Sequence, residues 1–199
     1  MTCLRNLAVA MLAVLPGCAS APLHYHTLVP AAANRGAERS VASSDIEALT
    51  VRVPAAADRM ELIVRRSDSD ASIINQELWI APLADELRSA LLLELARQMS
   101  TAEPETSHAV RRVRIRLDVQ RLEAVPGRYA LIDAQWRVST SSGADAAFVD
   151  CVSHVAEPVG ESYAAIVVGY QRALVSIADA IAVAVREARA GAAARCASR

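Results

Sequence analysis

The stretch "VRRVRIRLDVQRLEAVPGRYALIDAQWRV", Val110 to Val138, decides the fold. Alternation of apolar and polar residues marks a half-buried strand, because successive side chains on an extended backbone point to opposite faces. Val113, Ile115, Leu117 and Val119 fall on one face, and Arg114, Arg116, Asp118 and Gln120 on the other. Pro126-Gly127 then turns the chain. The pattern returns with Ala130, Ile132, Ala134, Trp136 and Val138 on one side. Asp133, Gln135 and Arg137 occupy the opposite side, suited to cross-strand charge pairs. The reading is a hairpin.

Downstream, "AAFVDCVSHV" supplies a third strand after Gly143. Glu161 to Arg189 follows as a long helix with Tyr163, Ile166, Tyr170, Leu174, Ile177 and Ile181 in its apolar stripe. Upstream, "IAPLADELRSALLLELARQM" is also a helix, since Ala84, Leu87, Leu91 and Leu95 recur at three- and four-residue steps. Pro82 is tolerated near its start, where the amides are unpaired anyway. "MELIVRR" and "SIINQELW" read as short strands around the polar turn Ser67 to Asp70. "IEALTVRVP" reads as a half-buried strand stopped by Pro54, and "LHYHTLV" as a strand with aromatic and β-branched content. Ala31 to Ser44 is small and polar, a loop. The order of elements implies one α/β domain over residues 23–190, a mixed sheet flanked by helices, with a mobile tail at 191–199.

The N-terminus fixes the compartment. Arg5 precedes an apolar run from Leu7 to Leu15, too short for the roughly 20 residues that a spanning helix needs. It fits a secretory signal. Leu15-Pro16-Gly17-Cys18 is similar to the lipobox of bacterial lipoproteins, in which the cysteine is acylated and the signal is cut just before it. That likeness makes residues 1–17 a lipoprotein signal peptide and 18–22 a tether lipidated at Cys18; an ordinary signal with a chance cysteine is the alternative. Each inserted acyl CH₂ contributes ~0.8 kcal/mol, so several chains hold a protein at a membrane. In such lipoproteins an aspartate at residue 19 commonly signals inner-membrane retention. Here residue 19 is alanine, which favours the outer membrane, facing the periplasm.

Removing 17 of the 199 residues leaves 182, enough for one well-buried domain. A net charge of −1 gives no overall basic field to hold nucleic acid. All 21 basic residues are arginines, which excludes lysine Schiff-base chemistry and a phosphate-loop lysine. No G-x-S-x-G elbow is present, and no enzymatic activity or cofactor is expected. His24 and His26 share one strand face and could pair as metal ligands, but two imidazoles without a carboxylate nearby in sequence make a weak site, so no metal is expected. His108 and His154 read as structural or solvated, and Trp79 and Trp136 as core anchors. Cys151 and Cys196 could form a disulfide in an oxidising periplasm; the alternative is a buried Cys151 and a free thiol on the tail. Arg111, Arg112, Arg114 and Arg116 could meet lipid phosphates or an acidic partner surface. The blander reading is a solvated strand face balanced by Asp118 and Asp133.

Several landmarks run in order along the processed chain. The lipobox is followed by Tyr25-His26-Thr27-Leu28, a strand end Val51 to Pro54, and a segment Ile63, Val64 and Arg65. Trp79-Ile80-Ala81-Pro82-Leu83 opens the first helix, a strand runs from Gly127 through Leu131 and Ala134 toward Trp136, and Ser162-Tyr163 begins the last helix. With these the chain resembles the PqiC-like (YmbA-like) lipoproteins, auxiliary components of ABC-type transport systems. His26 stands where that family has an aromatic, and Leu78 where it has an arginine. The resemblance implies a three-layer α/β/α fold like the anticodon-binding and TolB N-terminal domains, and assembly as a homo-oligomer, a ring. It implies as partners an MCE-domain periplasmic protein and its inner-membrane ABC transporter, in a system moving lipid between the membranes. A carrier that itself encloses acyl chains, and a periplasmic hydrolase, are the competing readings.

Overall fold

In the computed structural model, residues 21–31, 46–100, 112–140, 148–189 and residue 196 are described. Strand β5 (Val113–Val125) pairs antiparallel with β6 (Tyr129–Thr140), with Val113 opposite Thr140 and Val125 opposite Tyr129. The turn between them follows from its two central residues. Proline presets the first, and Gly127 takes a φ of 72° at the second, where a β-carbon is unfavourable. The Arg128 N–H donates to the Val125 carbonyl at 3.0 Å and closes the turn.

Strand β7 (Phe148–Pro158) continues antiparallel on β6, and β2 (Ile46–Arg52) adds in parallel to β5, giving the order β2-β5-β6-β7. A second sheet has the order β1-β4-β3. In it β1 (His24–His26) lies parallel to β4 (Ala71–Trp79), and β3 (Glu61–Arg65) lies antiparallel to it. The expected α/β class and single domain are found, but the strands divide between two sheets. Pro54 is the reason. Its carbonyl accepts the N–H groups of Ala57 and Asp58 at 2.8 and 3.1 Å, and this turn redirects the chain away from β2 before β3 begins.

Helix α1 (Leu83–Ser100) packs against α2 (Tyr163–Arg189) and β2, while α2 lies on β6 and β7. Both helices therefore cover the same face of the four-stranded sheet. The alternation in β5 and β6 explains it. Ile115, Leu117, Ile132, Ala134 and Trp136 point toward the helices and are buried, whereas Arg114, Arg116, Gln135 and Arg137 on the other face are exposed and offer no apolar surface to a third layer.

The helix ends are capped by side chains. Ser162 Oγ accepts the Ala165 N–H at 3.2 Å ahead of α2, and Asp58 Oδ1 accepts the Ala84 N–H at 3.1 Å at the start of α1. The three-stranded sheet joins the core through Trp79, whose ring meets Tyr170 of α2 at 6.4 Å between centroids. Buried Glu86 ties the chain after β1 to α1, accepting the Leu28 N–H at 2.7 Å and the Thr27 hydroxyl at 2.9 Å. Helix α2 is long and apolar enough to cross a membrane, yet most of its apolar residues, from Ile166 to Ala188, are buried within the domain.

Candidate docking site

The face of the four-stranded sheet turned away from the helices gathers the arginines singled out above. Arg112, just ahead of β5, and Arg114 and Arg116 on it are all exposed; Arg111 lies outside the described residues. Arg116 stands directly opposite Arg137 on β6 and beside Thr50 on β2. Two of these guanidinium groups are neutralised by the flanking strands. Arg137 forks onto Asp150 of β7, Nε to Oδ1 at 2.5 Å and the second nitrogen to Oδ2 at 2.6 Å, while Arg114 donates to Glu47 of β2 at 2.5 Å. The bond from Arg137 holds the Asp150 carboxyl below its ordinary range, and the same pair raises Arg137 further.

Arg116 makes no ion pair among the described residues. Asp118 and Asp133, the expected counter-charges, do not serve it. Asp118 makes no ion pair among the described residues, and Asp133 pairs with Arg121 at 2.8 Å and with His154. Among the described residues the balance thus comes from Glu47 and Asp150, and neither serves Arg116 at the centre. Beside this cationic centre, β7 displays Phe148 and Val152, 66% and 71% exposed. The Arg137 guanidinium lies 5.0 Å from the Phe148 ring centroid. A carboxylate or phosphate brought by another molecule would find a planar donor fork here, with apolar surface next to it.

A second cluster forms at β1. Glu77 bridges the two histidines, with Oε1 2.8 Å from His24 Nδ1 and Oε2 2.5 Å from His26 Nε2. Burial pushes the Glu77 carboxyl up, but the hydrogen bonds from His26 and His24 outweigh it, and the group sits below its ordinary range. Sequence reasoning missed Glu77 because it lies 53 positions from His24 and arrives through the parallel register of β1 with β4. No local signal announces that register. Among the described residues no group of three or more His, Cys, Asp or Glu is arranged to hold a metal ion.

Of the remaining candidates, Cys18 and His108 lie outside the described residues. Cys151, buried on β7, is bonded to Cys196. Trp136 is buried and donates its Nε1–H to Ser153 Oγ at 2.9 Å, and Trp79 is 2% exposed. Both tryptophans are packed inside the domain. Sequence reasoning also passed over Glu123, a buried carboxylate that accepts from Arg65 Nε and from the Tyr129 hydroxyl, each at 2.6 Å.

Comparison with known proteins places this architecture. A family model described as "ABC-type transport auxiliary lipoprotein component" matches residues 26–182. The fold is similar to the crystal structure of an uncharacterised protein, with a TM-score of 0.62 at 16% identity over 81% of this chain and 97% of that one. It is also similar to the crystal structure of protein XCC0632 from Xanthomonas campestris, with a TM-score of 0.54 at 14% identity over 72% of this chain and 85% of that one. No curated relative matches the chain.

Proposed function

Because this chain belongs to the family of ABC-type transport auxiliary lipoprotein components, we propose that it is the outer-membrane-anchored subunit of an MCE/ABC-type intermembrane lipid transport system. In this reading residues 1–17 are removed, and acyl chains on Cys18 hold the mature protein to the periplasmic face of the outer membrane through the tether 18–22. The domain of residues 23–190 then docks a periplasm-spanning MCE-domain protein, the partner of an inner-membrane ABC transporter. Its task is to hold another protein in place. Self-association would repeat the docking face around a collar.

The observation that supports docking is Arg116, an exposed guanidinium without an ion pair among the described residues, flanked by Arg114 and Arg137 on the sheet face away from the helices. An acidic surface on the partner would satisfy it, and Phe148 and Val152 would be covered by the same contact. A carrier enclosing acyl chains would need room between helices and sheet. There Leu117, Ile132, Ile166, Tyr170 and Ile177 are fully buried.

The test is affinity co-purification of the full chain from crosslinked cells. The native protein should retrieve an MCE-domain protein, and Arg116→Glu should lose it while melting at an unchanged temperature. Retention by Arg116→Glu at the native level defeats the assignment of this face. Absence of any MCE-domain protein from the native sample defeats the whole reading.

A further inference from the structure

Among the described residues eight large apolar side chains are exposed, and five of them, Leu23, Tyr25, Met60, Ile73 and Ile80, belong to the three-stranded sheet or its immediate flanks. The register aligns Tyr25 and Ile73 with two further apolar residues. Tyr25 is level with Leu78, Leu78 is opposite Glu61, and Ile63 is opposite Ile73, so these side chains share the outer face of β1-β4-β3. Tyr25 is 58% and Ile73 46% exposed, with Leu78 and Ile63 half-buried beside them. The inner face has different company. His24 and His26 are bound to Glu77 there, and Leu62, Val64 and Trp79 enter the core.

The tether says what lies against that outer face. Leu23 follows Cys18 by five residues. Five extended residues reach at most roughly 18 Å, of which a headgroup layer takes about 5–8 Å. With acyl chains on Cys18, β1 is kept close to the bilayer. It begins at most about 10–13 Å beyond the headgroups. We propose that the outer face of the three-stranded sheet, with Tyr25, Ile63, Ile73 and Leu78 on it and Leu23 at its border, rests on the lipid bilayer surface. Tyrosine suits this position, because its ring is apolar and its hydroxyl wets at headgroup depth. Glu61, on the same face, is ion-paired with Arg59 at 3.0 Å, so its charge does not meet anionic headgroups unopposed. The inference rests on the lipidation of Cys18 proposed above.

Single tryptophans at Tyr25→Trp and Ile73→Trp, with Gln135→Trp on the other sheet as reference, would be read in the full acylated protein on phosphatidylcholine–phosphatidylglycerol vesicles. The native protein, whose Trp79 and Trp136 are buried, supplies the baseline. Lipids brominated along the chain should quench the probes at 25 and 73 and spare the one at 135, and aqueous iodide should do the reverse. Iodide quenching at 25 and 73 equal to that at 135 overturns the proposal. Shielding from iodide without quenching by brominated lipid also overturns it, because a protein or a second copy then covers the face. In both cases vesicle flotation with modified Cys18 leaves the lipoprotein reading standing. Failure to float, with Cys18 unmodified by mass, removes that reading and the proposal together.

Discussion

Gly169 of α2 lies against Ala130 of β6 so closely that a β-carbon at residue 169 would stand 2.9 Å from that of Ala130 and 2.4 Å from Val159 Cγ1. Helix and sheet approach each other here because one of the two residues has no side chain. Gly169→Val should therefore force α2 off the sheet, and overpacking of this kind costs ~1–3 kcal/mol. The expected result is a lower urea midpoint with an unchanged slope.

Tyr170 carries a hydroxyl that is fully buried and has no hydrogen-bond partner among the described residues. Burial, with Glu123 nearby, pushes its pKa far above the ordinary phenol range. An unsatisfied buried hydroxyl costs ~1–3 kcal/mol, so Tyr170→Phe should leave the thermal midpoint equal or higher. A lower midpoint would mean that the hydroxyl has a companion after all.

Glu123 gives the fold a dependence on acid. Burial pushes its carboxyl up, but hydrogen bonds from Tyr129 and Arg65 and the charges of Arg65 and Arg121 together hold it below the ordinary 4.5. A carboxyl lowered in the folded state stabilises fully above its unfolded value, and that contribution is lost as pH falls through the folded one. Urea unfolding of Glu123→Gln should be easier than native by ~1–3 kcal/mol at pH 7. The two midpoints should converge as pH drops below about 4.5. A gap that stays constant across this range would assign the effect to shape alone.

Cys151 and Cys196 are bonded across a separation of 45 residues. Closing a loop of that size removes unfolded-state freedom worth up to about 4 kcal/mol. Reductant should lower the melting temperature of the native protein and leave Cys196→Ser unaffected. In mature protein with Cys18 acylated, thiol titration after denaturation should find no free sulfhydryl.

The hairpin of β5 and β6 was readable because its signals are local: period-two alternation over more than ten residues, and Pro126-Gly127 at the turn. Both helices announced themselves through three- and four-residue spacing around Leu91 and Ile177. The division into two sheets was not readable, since it depends on where Pro54 sends the chain and on β2 and β1 choosing distant parallel neighbours. Glu77 was invisible for the same reason, as was the choice of Glu47 and Asp150 over Asp118 as counter-charges to the arginines. Cross-strand register converts positions far apart in sequence into neighbours, and nothing in a run of residues states it. The arginine run itself was plain to read; what remained hidden was that Arg114 and Arg137 would be answered and that Arg116 would have no ion pair among the described residues.

The two N-terminal strands both wait for later ones. His24 to His26 align with Glu77 to Trp79, and Ile46 to Arg52 with Val113 to Asp118, each in parallel. As the polypeptide emerges, β1 thus has no neighbour until residue 79 has been delivered, and β2 none until residue 118. The β3-β4 and β5-β6 hairpins can close as they are delivered, but each sheet is complete only once an early strand has met a neighbour far along the chain.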